Sequence, residues 1–365
     1  MKKNIFLIFI LLTGFIAAQE DNDIEFDKVF EIDTVQTLIA AEDQVANVLY
    51  NEGVSFYEQA NYEEAVNKFT SAINENPDFP KAYFARANAY TQLNEYQKAI
   101  NDLDEFLQYE NNNGSAYYWI GYCNYYLNNY QNVAENFDKA ISSGYDKDAN
   151  LYYFYGVVQF NENKYEEAIK NFTKTVNIDP KYTFAYNDMG SSYRMLGKYN
   201  EAITNYKEAV KTNKEMSVLY ANLASVYRLN KEYQNAVKEY DNAIKIDPQN
   251  YLAINNKGVC LYELERYNEA IEAFNKALTQ KSDYAYSYSN IGLCYYKLKE
   301  YKLAIEAFNT AIQLDNNYGY AYLHRGNTKE MQRDMAGACE DWHKAKSLGV
   351  EVAEGYIIVC SEFKK

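Results

Sequence analysis

A tyrosine returns along this chain at almost constant intervals. Tyr62, Tyr96, Tyr130, Tyr165, Tyr199, Tyr233, Tyr267 and Tyr301 are spaced by 34 residues, with one interval of 35 after Tyr130. A period of this length points to stacked units rather than one central core, because a single unit cannot bury its own apolar face. Three residues after each tyrosine stands a small side chain (Ala65, Ala99, Val133, Ala168 and onward) and seven after it a bulky one (Phe69, Leu103, Phe137, Phe172 and onward). Ten after most comes a small residue again, as at Ala72, Ala140 and Ala209. Steps of three, four and three fall on one stripe of a helix. A second stripe precedes it, centred on Gly53, Ala87, Gly121, Gly156, Gly190, Ala224, Gly258, Gly292 and Gly326, with aromatics flanking most copies. Each unit thus reads as two amphipathic helices joined by a short polar turn. Pro77, Pro180 and Pro248 share one repeat position after the second helix, where a residue without an N–H ends it, and Pro80 opens the next unit.

These residues resemble the tetratricopeptide repeat. That family's order of aromatic, Leu-Gly, Tyr, Ala, Phe, Ala and Pro is followed closely by YNDMGSSYRMLGKYNEAITNYKEAV at 186–210. Numbered by it, nine units run 46–79, 80–113, 114–148, 149–182, 183–216, 217–250, 251–284, 285–318 and 319–352, with the one extra residue near Asp146. The third unit departs with Val133 and Asn124, the ninth with Met335 and Trp342. The resemblance implies an all-α fold, a right-handed superhelical solenoid of nine helix-turn-helix repeats whose first helices line a working groove. A capping helix is expected at 353–365. At the other end an acidic segment, 19–45, is expected to carry a helix capped by Asp33 or Thr34.

Composition narrows the function. Aromatics form 16% of the 365 residues, too many for a disordered chain, and a net charge of −15 disfavours general nucleic-acid binding. Only His324 and His343 are present, and no dinucleotide, phosphate-loop, nucleophile-elbow or zinc-protease motif occurs. The abundant carboxylates read as solvated helix faces. No enzymatic activity and no cofactor are expected. Lys2 and Lys3 precede a 14-residue uncharged run from Ile5 to Ala18, and acidic residues follow at once. That run is short for a membrane span and fits a signal peptide at 1–18, so the mature protein is expected to be exported, periplasmic or secreted, without a further span.

In the resembled family the groove is lined by fixed positions of the first helix. Carried over residue by residue, they place Tyr118, Tyr122, Tyr125, Tyr153 and Phe160 on units three and four, Asn187, Arg194 and Arg228 on units five and six, and Tyr262 and Tyr296 on units seven and eight. The expected partner is a protein or peptide segment. Residues 190–232 hold seven lysines and arginines against four glutamates, which suits an acidic segment gripped by the two arginines. The plainer reading is a tyrosine-rich composition and solvated arginines. Stacking of a glycan or another small ligand on the tyrosines is the alternative function. The lysine–asparagine clamp that holds chaperone tails is not reproduced: position 5 has no lysine, and Asn88 and Asn327 stand alone at position 9. Near the C-terminus, GACEDWHKAKSLG followed by a later cysteine resembles terminal repeats of exported bacterial members of the family. For Cys339 and Cys360 a disulfide, two free thiols and a metal half-site with His343 all stay open. Cys123, Cys260 and Cys294 share one repeat position and read as packing residues.

Overall fold

The computed structural model describes residues 41–360. The expected signal peptide and most of the acidic segment lie outside the described residues. The described residues are all-α, and helices alternate as the period requires: α1 (Ala41–Glu58), α2 (Tyr62–Glu75), α3 (Pro80–Gln92), α4 (Tyr96–Tyr109), α5 (Gly114–Tyr126), α6 (Tyr130–Ser142), α7 (Ala149–Asn161), α8 (Tyr165–Ile178) and α9 (Thr183–Met195). They continue as α10 (Tyr199–Thr212), α11 (Ser217–Leu229), α12 (Tyr233–Ile246), α13 (Tyr251–Glu263), α14 (Tyr267–Gln280), α15 (Ala285–Lys297), α16 (Tyr301–Leu314), α17 (Gly319–Met331), α18 (Met335–Ser347) and α19 (Glu354–Ile357). Of the described residues, 41–192 form one compact unit and 193–360 a second, so the division falls inside α9.

Within each unit the two helices of a hairpin pack through the stripes read from the sequence. A side-chain carbon added to Gly121 would stand 2.5 Å from the Phe137 ring, and the same collision awaits Gly53 at Phe69, Gly156 at Phe172, Gly258 at Phe274 and Gly292 at Phe308. The glycine of the first helix therefore makes room for the aromatic of the second, which is why the two recur together. Those five phenylalanines are fully buried or nearly so. Each hairpin turns through a residue with positive φ, among them Asn94, Asn128 and Asn163. The chain closes there with paired backbone bonds, such as Asn94 N–H to Thr91 O and Glu95 N–H to Tyr90 O. Asn94, Asn128 and Asn163 also accept the hydroxyls of Tyr96, Tyr130 and Tyr165 at 2.6, 3.1 and 2.7 Å. All eight tyrosines of the periodic series are half-buried.

The C-terminal cap differs from the single helix expected. A 3-10 turn at Glu351–Ala353 leads into the one-turn α19, and residues 358–360 return to 3-10 geometry. A bond between Cys339 and Cys360, whose Cα atoms are 5.8 Å apart, ties this segment to α18. Tyr356 stacks on Trp342 at 5.4 Å, and Lys346 pairs with Glu354 at 2.8 Å. Three separate ties hold a segment too short to persist as an isolated helix. Residues 361–365 lie outside the described residues.

Candidate peptide-binding surface

First helices of neighbouring hairpins touch one another within each unit: α1 with α3 and α5 with α7 in the first, and α11, α13, α15 and α17 in succession in the second. The second unit thus presents an unbroken run of first helices from α11 to α17, and the first unit pairs them two by two. Position 12 of the repeat lies on these helices, and every aromatic there rests on the periodic tyrosine of its own hairpin. Ring centroids are 5.3 Å apart for Tyr57–Tyr62, 6.4 Å for Tyr125–Tyr130, 5.3 Å for Phe160–Tyr165, 5.5 Å for Tyr262–Tyr267 and 5.9 Å for Tyr296–Tyr301. Tilted and edge-on pairs of this kind hold an aromatic at a defined angle from behind. Tyr125, Phe160 and Tyr296 are half-buried, so part of each ring stays available, whereas Tyr262 is buried.

Four expected groove residues in the first unit belong instead to the core. Tyr118 is fully buried between Phe137 and Tyr145, at 5.9 and 5.2 Å, because Tyr145 in the lengthened loop after α6 covers it. Its hydroxyl finds no hydrogen-bond partner. Tyr153 packs on Phe172 and Tyr182 and donates its hydroxyl to Asp188 at 3.0 Å. Tyr122 is buried edge-on against Phe154 at 5.2 Å. Asn187 is buried, its side-chain amide donating to Asp188 at 2.8 Å. None of these four offers a ring or amide to a ligand. What the face does offer is Tyr125 beside Tyr126, with Tyr126 stacked on Tyr96 at 5.0 Å and 12°. Tyr126 was missed and Tyr96 was read only as a member of the periodic series, because neither sits at a position the family uses for its groove.

Asp188 was also missed. It is a fully desolvated carboxyl held by two donors, and burial outweighs both, pushing it up to about 7. In the second unit Arg228 is 8% exposed and Arg194 half-buried, and neither Nε has a hydrogen-bond partner. Burial pushes the Tyr240 phenol up to about 12, against the lowering effect of the Arg228 charge and of side-chain hydrogen bonds with Arg228 and Ser225, and the same charge also favours the ionised forms of Tyr233 and Cys260.

The remaining candidates have structural uses. Cys123, Cys260 and Cys294 are buried free thiols, each pushed up to about 12 by desolvation, which leaves them inert. Asn327 accepts the Trp342 indole N–H at 2.8 Å, and Asn88 is buried. Among the described residues no cluster of His, Cys, Asp and Glu suits a metal ion, and no helix is long and apolar enough to cross a membrane.

Comparison with known proteins follows the same pattern. Models described as tetratricopeptide repeats match residues 50–116, 85–144, 149–182 and 285–318, and one described as TPR repeat matches 258–299. A model of anaphase-promoting complex subunit 3 matches 195–277. Hsp70-Hsp90 organizing protein 2 of Arabidopsis thaliana is 28% identical over 90 residues, which are 25% of this chain and only 16% of that relative. Among solved structures, YrrB, described as a TPR protein with an unusual peptide-binding site, is 23% identical and aligns over 51% of this chain and 95% of its own, with a TM-score of 0.45. MamA is 24% identical over 44% of this chain and 94% of its own at 0.43. The Cut9–Hcn1 structure is 15% identical over 86% and 75% at 0.48.

Proposed function

Because the chain is a tetratricopeptide repeat protein, we propose that it is a non-enzymatic scaffold that binds a segment of another protein along its first-helix faces. The observation that carries this reading is the half-buried aromatic cluster of Tyr96, Tyr125 and Tyr126, held by ring contacts within it, with Phe160 seated likewise on Tyr165 in the next hairpin. Rigid aromatics with polar tips give large contact area at low entropic cost and dominate many interfaces. The Arabidopsis relative is by name an organizing protein, which agrees with this class of function, as does the peptide-binding site ascribed to YrrB. The test is capture of a partner by the full chain against a Tyr125→Ala/Tyr126→Ala variant with an unchanged helical spectrum. Loss of capture supports the reading, and equal capture overturns it.

The stacked pair Tyr96–Tyr126 favours a second reading, capture of a glycan. Stacking of a neutral sugar resists salt, so competition by soluble oligosaccharide at high ionic strength separates the two. The mature chain works outside the cytoplasm in this proposal. The basic and apolar start of the sequence supports export, and the Cys339–Cys360 bond suits an oxidising compartment. Intact mass of the protein from its native host checks it: loss of residues 1–18 is expected.

A further inference from the structure

Charge is placed unevenly along this chain. Residues 41–192 hold 22 aspartates and glutamates against 10 lysines and arginines, a net of −12, whereas residues 193–360 hold 21 of each. The first unit is therefore the anionic one, and a field of that sign draws cations to its surface. The half-buried aromatic cluster stands within this field. The rings of Tyr125 and Tyr126 meet at 88° with centroids 5.2 Å apart, as two walls of a corner. Tyr96 stacked on Tyr126, and the buried Phe154 ring 5.1 Å from Tyr125, hold these walls in place. An aromatic face carries partial negative charge, and walls of such faces receive an ammonium group. The chain uses this attraction elsewhere. Its lysines and arginines lie 4.6–6.0 Å from the ring centroids of eight other tyrosines, but among the described residues none lies over Tyr96, Tyr125 or Tyr126.

A carboxyl stands behind the corner. Phe154 touches Tyr153 at 5.6 Å, and Tyr153 donates its hydroxyl to Asp188 at 3.0 Å. Asp188 is 5% exposed, and the titratable groups that face it are Tyr125 from α5, Tyr153 from α7 and Tyr182 from the loop after α8. Its donors are the Tyr153 hydroxyl and the Asn187 amide, and among the described residues no lysine or arginine lies within ion-pair distance of it. A dry carboxyl of this kind ionises more readily once a cation arrives nearby. We propose that the corner of Tyr125 and Tyr126 binds an ammonium group of the partner segment, a lysine side chain or its N-methylated form, with the Asp188 carboxylate adding negative charge behind the rings. This inference rests on the first unit's aromatic cluster being a binding surface, and it names the chemistry recognised there. Asp188 exchanges its proton at about pH 7. The cation draws on the ionised form, so affinity rises with pH through that range and binding releases protons.

The test is titration of the full chain with three acetylated, amidated peptides that differ only in one central residue: lysine, trimethyllysine, or the uncharged carbon isostere of trimethyllysine. At least one of the two cationic peptides is expected to bind about threefold or more tighter than the isostere. Which of them wins distinguishes plain lysine from the methylated form. That preference should vanish in Tyr125→Leu/Tyr126→Leu, which keeps apolar volume without a ring, and persist in Tyr125→Phe/Tyr126→Phe, which keeps the ring. In wild type it should grow from pH 6 to pH 8, and in Asp188→Asn it should be weaker and flat with pH. No binding of either cationic peptide, equal affinity for the isostere, or an undiminished preference in the leucine variant overturns the proposal. So does a pH profile that Asp188→Asn leaves unchanged. If the leucine variant does not fold, the isostere comparison and the Asp188→Asn profile decide alone. Equal binding of all three peptides by a chain that still needs Tyr125 and Tyr126 for partner capture removes this inference and leaves the scaffold reading standing. Selective binding of a cationic peptide with capture indifferent to both tyrosines does the reverse.

Discussion

Single side chains in this protein are judged by how many layers lie over them. Asp188 is the sharpest case, a carboxyl at about 7 where an unfolded chain has 3.8. The folded state holds its proton more tightly than the unfolded state, so the penalty of ionising it is absent below about pH 4, grows between pH 4 and 7, and is complete above. Stability should therefore fall with rising pH by at most about 1.4 kcal/mol per pH unit from this residue. Asp188→Asn should flatten that slope and stabilise the protein at pH 8, measured by denaturant titration at pH 5 and 8. A slope unchanged by the substitution would refute the assignment. A second prediction concerns close approach: Gly121→Ala drives a methyl into Phe137 and should cost about 1–3 kcal/mol. Sequence phase identified the glycine, the aromatic and their shared stripe, since period alone decides which face of a helix a residue occupies. Depth was not legible. Tyr118 and Tyr125 lie on the same helix seven residues apart, yet Tyr145 from a loop covers one and leaves the other half-open. For Asp188 the one available sign was its repeat position, which holds Asn222, Asn256 and Asn290 in the next three units.

At the level of helices and turns, the hairpin reversals repeat with unequal quality. Asn94, Asn128 and Asn163 suit positive φ and bind a tyrosine hydroxyl, while Lys231, Glu265 and Lys299 take the same backbone angle, φ 62 to 64, without that benefit. Left-handed backbone costs an ordinary residue about 1 kcal/mol or more. Lys299→Asn should recover roughly 0.5–1 kcal/mol, partly by accepting the Tyr301 hydroxyl. An unchanged denaturation midpoint would count against this account of the turn. The terminal segment depends on its covalent tie more than on helix length. The disulfide closes 21 residues, so Cys339→Ser should lower stability by about 2–4 kcal/mol. Hydrogen exchange should place the opening at residues 335–360 rather than along the whole chain. A short polar turn between the helices was readable from the sequence, whereas the broken geometry of the cap was not, because tertiary ties override weak local propensity in a segment of ten residues.

Among the described residues, the helix pairs that touch extensively are adjacent or next-adjacent in the chain. Contacts this local favour fast folding and let one stretch open while another stays closed, since stability is close to a sum of repeat and nearest-neighbour terms. The effect of Gly121→Ala should accordingly appear in the hydrogen exchange of α3 to α8 and leave α13 to α18 unchanged. Uniform acceleration throughout would contradict such local coupling. The seating of each position-12 aromatic on a tyrosine of its own hairpin has a practical consequence. Exchanging a residue there leaves that supporting tyrosine in place, so the chain behaves like type set in separate blocks, each re-letterable to read a different guest.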